Sequence, residues 1–247
     1  MKPSVTLQPN ELEKINAALS AANQAFMRHY PGESNRRQAV HTVYGGAHLF
    51  KANSPERLGA VALRSLEEYG PDAATLAQSL GVTGDEPLWQ LIYGRIVEKL
   101  RREPVEDFRL DFEDGYGNRV DEEEDAHAAS AAREVARGLE EGSLPPFVGI
   151  RIKPLNEDLR ARSVRTLDIF ITALTKATDG RLPQNFVITV PKIQLPAQMT
   201  AAIRLFELLE KKTGLTNGTL RIEPMIETPQ AIINQRGEVA LGSLAEA

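Results

Sequence analysis

Cysteine is absent from this chain. That excludes disulfides, a thiol nucleophile and thiolate metal ligands. An excess of positive charge is also missing: 29 Lys and Arg stand against 34 Asp and Glu, a net charge of −5. Such a balance argues against general binding to nucleic acid or to an anionic membrane surface. No apolar run is long enough to span a bilayer, and Met1–Val5 leads into polar sequence with no signal-peptide core. A dinucleotide fingerprint, a Walker A loop and a Gly-Xaa-Ser-Xaa-Gly elbow are all lacking. The four histidines, His29, His41, His48 and His127, share no metal-ligand spacing and read as structural or surface residues. What remains is an ordinary globular composition, 42% hydrophobic and 26% charged over 247 residues. It is enough for a sizeable core without covalent staples. The expectation is a cytoplasmic protein that binds neither membrane nor nucleic acid.

The pattern along the chain alternates helix and strand. Asn10 with Glu13 reads as a helix start, followed by Ile15, Leu19, Ala22 and Phe26 at helical spacing. Residues 39–44 read as a strand closed by Gly45-Gly46. Ser54-Pro55, Pro71-Asp72 and Glu86 then open three helices before Pro104. Beyond Pro104 the rhythm is regular. Strands are expected at 108–112, 147–152, 186–190 and 220–226, with helices at 121–139, 156–178 and 195–212 between them. The acidic run Asp121–Asp125 suits a helix N-terminus.

This is the pattern of an α/β fold with a mostly parallel sheet. Five strands recur, the later ones roughly every 35–40 residues, close to one unit of a (β/α)₈ barrel. The reading is a single, incomplete barrel domain over residues 1–247, with about five parallel strands and an N-terminal helical insertion near 54–102. The chain stops where a sixth strand is expected, which reads as truncation.

Parallel α/β folds place their sites at the carboxyl ends of strands. Here Asp111, Glu113 and Asp114 end the second strand, Arg151 and Lys153 the third, Lys192 the fourth and Glu227 the fifth. Each alone fits a solvated turn or a surface charge. Four charged strand ends in succession suit a hard divalent cation and an anionic substrate.

Four segments resemble the citrate lyase β-subunit-like and hydroxy-oxo-heptanedioate aldolase group of the phosphoenolpyruvate/pyruvate barrel superfamily. They are Asp111-Phe112-Glu113-Asp114-Gly115, Gly149-Ile150-Arg151-Ile152, Val190-Pro191-Lys192-Ile193 and Met225-Ile226-Glu227-Thr228. Together they cover about residues 105–235, and the first unit departs from the group. The resemblance implies a Mg²⁺- or Mn²⁺-dependent carbon–carbon lyase acting through an enolate on an oxo acid or acyl-coenzyme A substrate. It implies Glu227 as metal ligand and Arg151 as the group that steadies the enolate. Asp111, Glu113 and Asp114 would hold metal-bound waters or position substrate, and Lys192 and Arg151 would bind substrate. In the aldolase branch a histidine follows the glutamate of the second-strand motif. Asp114 stands there in this chain and becomes the candidate catalytic partner of Arg151. The group also draws a second metal carboxylate from strand six.

Two other readings compete. A Schiff-base aldolase would use Lys192 or Lys153, although neighbouring carboxylates favour the charged ammonium. A remnant without catalysis would only bind. Apolar surface left uncovered by an unclosed barrel would favour a homo-oligomer.

Overall fold

A computed structural model describes residues 6–82 and 84–247. The chain divides into two compact units, Met1–Gln38 and Ala39–Ala247. The first contains α1 (Pro9–His29). This helix starts one residue before the expected Asn10 cap. Pro9 takes a first-turn position, where a missing N–H is harmless, and Glu11 accepts a 2.7 Å bond from the Gln8 N–H.

The second unit begins with β1 (Thr42–Gly46). Three helices follow before the next strand: α2 (Ser54–Tyr69), α3 (Ala73–Ser79) and α4 (Glu86–Arg102). Regular alternation then sets in. β2 (Asp107–Asp111) leads to α5 (Asp121–Glu141), β3 (Phe147–Arg151) to α6 (Arg160–Ala177), β4 (Phe186–Val190) to α7 (Pro196–Thr213), and β5 (Ile222–Pro224) to the short α8 (Pro229–Ile232) and α9 (Leu241–Ala245). The five strands pair in parallel in the order β1-β2-β3-β4-β5. The fold is α/β with an all-parallel sheet.

Side chains alternate between the two faces of a strand. On one face Phe108, Leu110, Val148, Ile150, Ile188 and Val190 are buried in a single cluster with α5, α6 and α7. α5 contributes Ala128, Ala131, Ala132 and Val135, small residues that allow close approach. α6 contributes Leu167, Phe170, Ile171 and Leu174.

The other face is polar. β1 places Thr42 and Tyr44 there, β2 Asp107, Arg109 and Asp111, β3 Gly149 and Arg151, β4 Thr189 and β5 Glu223. Arg109 is only 4% exposed. It donates from Nη2 to Glu223 at 2.8 Å, from Nε to Thr189 Oγ1 at 3.2 Å, and from Nη1 to Asp107. Three interstrand spacings, about 14 Å, separate β2 from β5 in a flat sheet. The two side chains meet because the polar face curls inward. On β3, Gly149 stands in register between Arg109 of β2 and Val187 of β4, and a Cβ there would come within 2.2 Å of the Val187 carbonyl oxygen.

Candidate functional site at the carboxyl ends of the strands

Asp111 closes β2 and is 1% exposed. It takes Arg151, the last residue of β3, in a two-pronged grip: Nε donates to Oδ1 at 2.7 Å and Nη2 to Oδ2 at 2.5 Å. The backbone then supplies two more donors. The N–H of Glu113 reaches Oδ1 at 2.9 Å and that of Gly115 reaches Oδ2 at 2.7 Å. Four bonds fill the roughly four lone-pair sites of a carboxylate. Burial alone would raise the Asp111 pKa, but Arg151 and the two N–H groups outweigh it and hold it below the usual range. Asp111 therefore supports Arg151, with both of its oxygens engaged.

Arg151 keeps Nη1 free of Asp111. That nitrogen faces the rim, 3.2 Å from Glu113 Oε2 and 3.6 Å from Asp114 Oδ2. The guanidinium also stacks over the Tyr44 ring, 4.6 Å from its centroid. Lys192 reaches the same carboxylates from the loop after β4. Its Nζ donates to Glu113 Oε1 at 2.5 Å and to Asp114 Oδ1 at 3.4 Å. The Lys192 backbone N–H donates to Glu227 Oε1 at 2.8 Å. The residue adopts φ +51°, a left-handed conformation uncommon outside glycine. Arg151, Asp111, Glu113, Asp114, Lys192 and Glu227 thus form one connected constellation. Asp114 and Glu227 are its exposed members, and Glu113 is 8% exposed.

Lys153 is not part of it. Its ammonium turns toward the β2–α5 connection, donates to the Phe112 carbonyl at 2.6 Å and to the Gly117 carbonyl at 3.4 Å, and pairs with Glu124 at 3.1 Å. Glu124 is fully buried and also accepts from Thr166 at 2.6 Å. Lys153 serves as a tie between the strand ends and the α5–α6 pair.

Residues 19–247 match the model of a family described as a domain of unknown function, DUF6986. The chain belongs to that family. No curated protein matches it.

For this DUF6986 member, two groups of residues escaped the sequence reading. One is the Asp107–Arg109–Thr189–Glu223 network on the polar face. Its signal was the alternation Asp107, Arg109, Asp111, which places three charges on one side of a buried strand. The other is a ring cluster beside the rim. Tyr116 and His127 share a 2.8 Å hydrogen bond, and the His48 ring lies 5.3 Å from that of Tyr116. Among the described residues, no three His, Asp or Glu side chains are grouped as a ready metal cage. A cleft of about 630 Å³ between α6 and α7, lined by Asp168, Lys176 and Lys212, lies at the other end of the sheet.

Proposed function

We propose that this chain is a divalent-metal-dependent carbon–carbon lyase of the citrate lyase β-subunit-like and hydroxy-oxo-heptanedioate aldolase group, built on part of a (β/α)₈ barrel. The observation that carries the reading is the Asp111–Arg151 grip, which aims Arg151 Nη1 at a rim shared with Glu113, Lys192 and Glu227. The inward curl shown by the Arg109–Glu223 bridge supports the barrel.

The donor chemistry fits Mg²⁺ or Mn²⁺. Mg²⁺ uses one or two carboxylates and otherwise keeps its waters. Glu227 is exposed and gives one lone pair to the Lys192 N–H, so it has others to offer. Glu227 would hold the metal, which when bound supplies a Lewis acid next to the reacting carbonyl oxygen. Arg151 does the remaining electrostatic work. Its orientation is set before substrate arrives, and Nη1 offers N–H donors to the oxygen on which enolate charge develops. Lys192 adds a second positive charge for a carboxylate or acyl group. Asp111 holds the guanidinium plane.

A Schiff base at Lys192 or Lys153 has less support. Glu113, bonded to Lys192, raises that lysine above its ordinary range and keeps it an ammonium. Lys153 is buried behind the site with its donors engaged. No helix among the described residues is long and apolar enough to cross a membrane, and we place the enzyme in the cytoplasm. Exposed Leu49, Leu58 and Val61 near β1 favour association with a second copy. The test is cleavage of 4-hydroxy-2-oxo acids and of 3-hydroxyacyl-coenzyme A thioesters, followed by the carbonyl product. Activity that survives exhaustive chelation would overturn the metal-dependent reading.

A further inference from the structure

Asp114, in the place of the aldolase branch's histidine, is exposed and lies at the edge of the constellation. Its neighbour Glu113 is different. Its side chain is 6% exposed, and the two carboxylate oxygens are unequal. Oε1 accepts the Lys192 ammonium at 2.5 Å. Oε2 is buried and accepts no hydrogen bond among the described residues, although Arg151 Nη1 stands 3.2 Å away. A buried carboxylate oxygen left without a donor is uncommon and calls for a reason. It lies beside the one guanidinium nitrogen that Asp111 does not occupy.

We propose that Glu113 is the catalytic proton-transfer group of this site, with Oε2 as the working oxygen; this rests on the enolate reading above. The substrate class is a β-hydroxy carbonyl compound. Glu113 Oε2 takes the proton of the β-hydroxyl. The Cα–Cβ bond breaks as the C=O forms at Cβ, and its electron pair becomes the enolate of the α-carbon fragment. Arg151 Nη1 stabilises the enolate oxygen, and Glu113 returns the proton to Cα. Every proton and electron pair is accounted for without a further reactant.

The charges around Glu113 suit this cycle. Burial pushes it above the usual carboxylate range, and Lys192 and Arg151 offset only part of that, with Asp114 adding to the rise. Asp111 lies beyond Arg151 and Glu227 beyond Lys192. A carboxylate raised above its usual range is a stronger base, and the same group can return the proton it takes.

The experiment follows exchange of pyruvate methyl protons with D₂O by NMR, in the full chain with Mg²⁺, for wild type, Glu113→Gln and Asp114→Asn. Oxalate, an enolate mimic, reports binding by calorimetry. The expected result is exchange in wild type, a loss of about 100-fold or more in Glu113→Gln with oxalate affinity kept, and a distinctly smaller loss in Asp114→Asn. Exchange retained in Glu113→Gln overturns the role of Glu113 and leaves the enolate reading standing, as does loss confined to Asp114→Asn. No exchange in wild type overturns both.

Discussion

Asp111 and Arg151 form a buried, two-pronged ion pair whose carboxylate is saturated by two further backbone N–H groups. Removing one member of a buried pair leaves the other charge uncompensated. Asp111→Asn is expected to lower unfolding free energy by about 3–5 kcal/mol, read by urea denaturation. The Asp111 pKa is depressed in the folded state. Its stabilisation is therefore present above the unfolded carboxylate value, about 3.9, and disappears as pH falls through the lower folded value. The wild type should lose stability on acidification below about pH 4, and Asp111→Asn should show a weaker dependence there. Identical acid profiles would contradict the assignment.

Glu227 is the carboxylate expected to hold the metal. Glu227→Gln keeps its shape and the bond from the Lys192 N–H while removing the charge. Titration with Mn²⁺, followed by electron paramagnetic resonance, should show weak binding in the wild type and a loss of at least about tenfold in the variant, roughly 1.4 kcal/mol. Equal affinities would move the metal away from Glu227.

Borohydride reduction in the presence of pyruvate should leave the protein mass unchanged. Lys192 stays protonated between Glu113 and Asp114, and Lys153 is tied to Glu124 and two carbonyls. A trapped adduct on either lysine would restore the Schiff-base mechanism.

Gly149→Ala tests the packing of β3 against β4. The added methyl would meet the Val187 carbonyl at 2.2 Å, and a backbone atom on a paired strand cannot easily move aside. A loss of about 1–3 kcal/mol is expected by thermal or urea unfolding. A neutral effect would mean that β3 and β4 separate more easily than this packing implies.

Much of the fold was readable from hydrophobic period and helix punctuation. The strand expected at 186–190 occurs with those bounds, and the helix expected to open at Glu86 and close before Pro104 runs from Glu86 to Arg102. β1 was misplaced, 39–44 against Thr42–Gly46, because Gly45-Gly46 reads as a stop. In the structure these glycines continue the strand opposite Leu110 and Asp111, and a Cβ at Gly46 would strike the Gly115 carbonyl at 2.4 Å. β5 is shorter than its apolar pattern, since only Ile222–Pro224 pairs with β4.

The site was legible as a row of charges, but their division of labour was not. Spacing does not reveal that Asp111 spends all its oxygens on Arg151 and the backbone. Nor does it reveal that Lys153, two residues past Arg151, turns toward α5. Those outcomes depend on which neighbours reach each atom in three dimensions. Arg109 was missed for a related reason: a charge within a strand looks like the solvent side of an alternation, and only the curl of the sheet buries it.

A lysine at φ +51° stays there only because its surroundings hold it, at a cost of order 1–3 kcal/mol. Lys192 is pinned at both ends, by Glu227 at its backbone and by Glu113 and Asp114 at its tip. An anion that docks against Lys192 and Arg151 finds few rotors left to freeze. The ordering penalty, about 0.5–1.5 kcal/mol for each mobile side chain, has already been met during folding. Binding at this rim should then lose little conformational entropy, and Lys192→Gly, which removes the charge and loosens the loop, would weaken it.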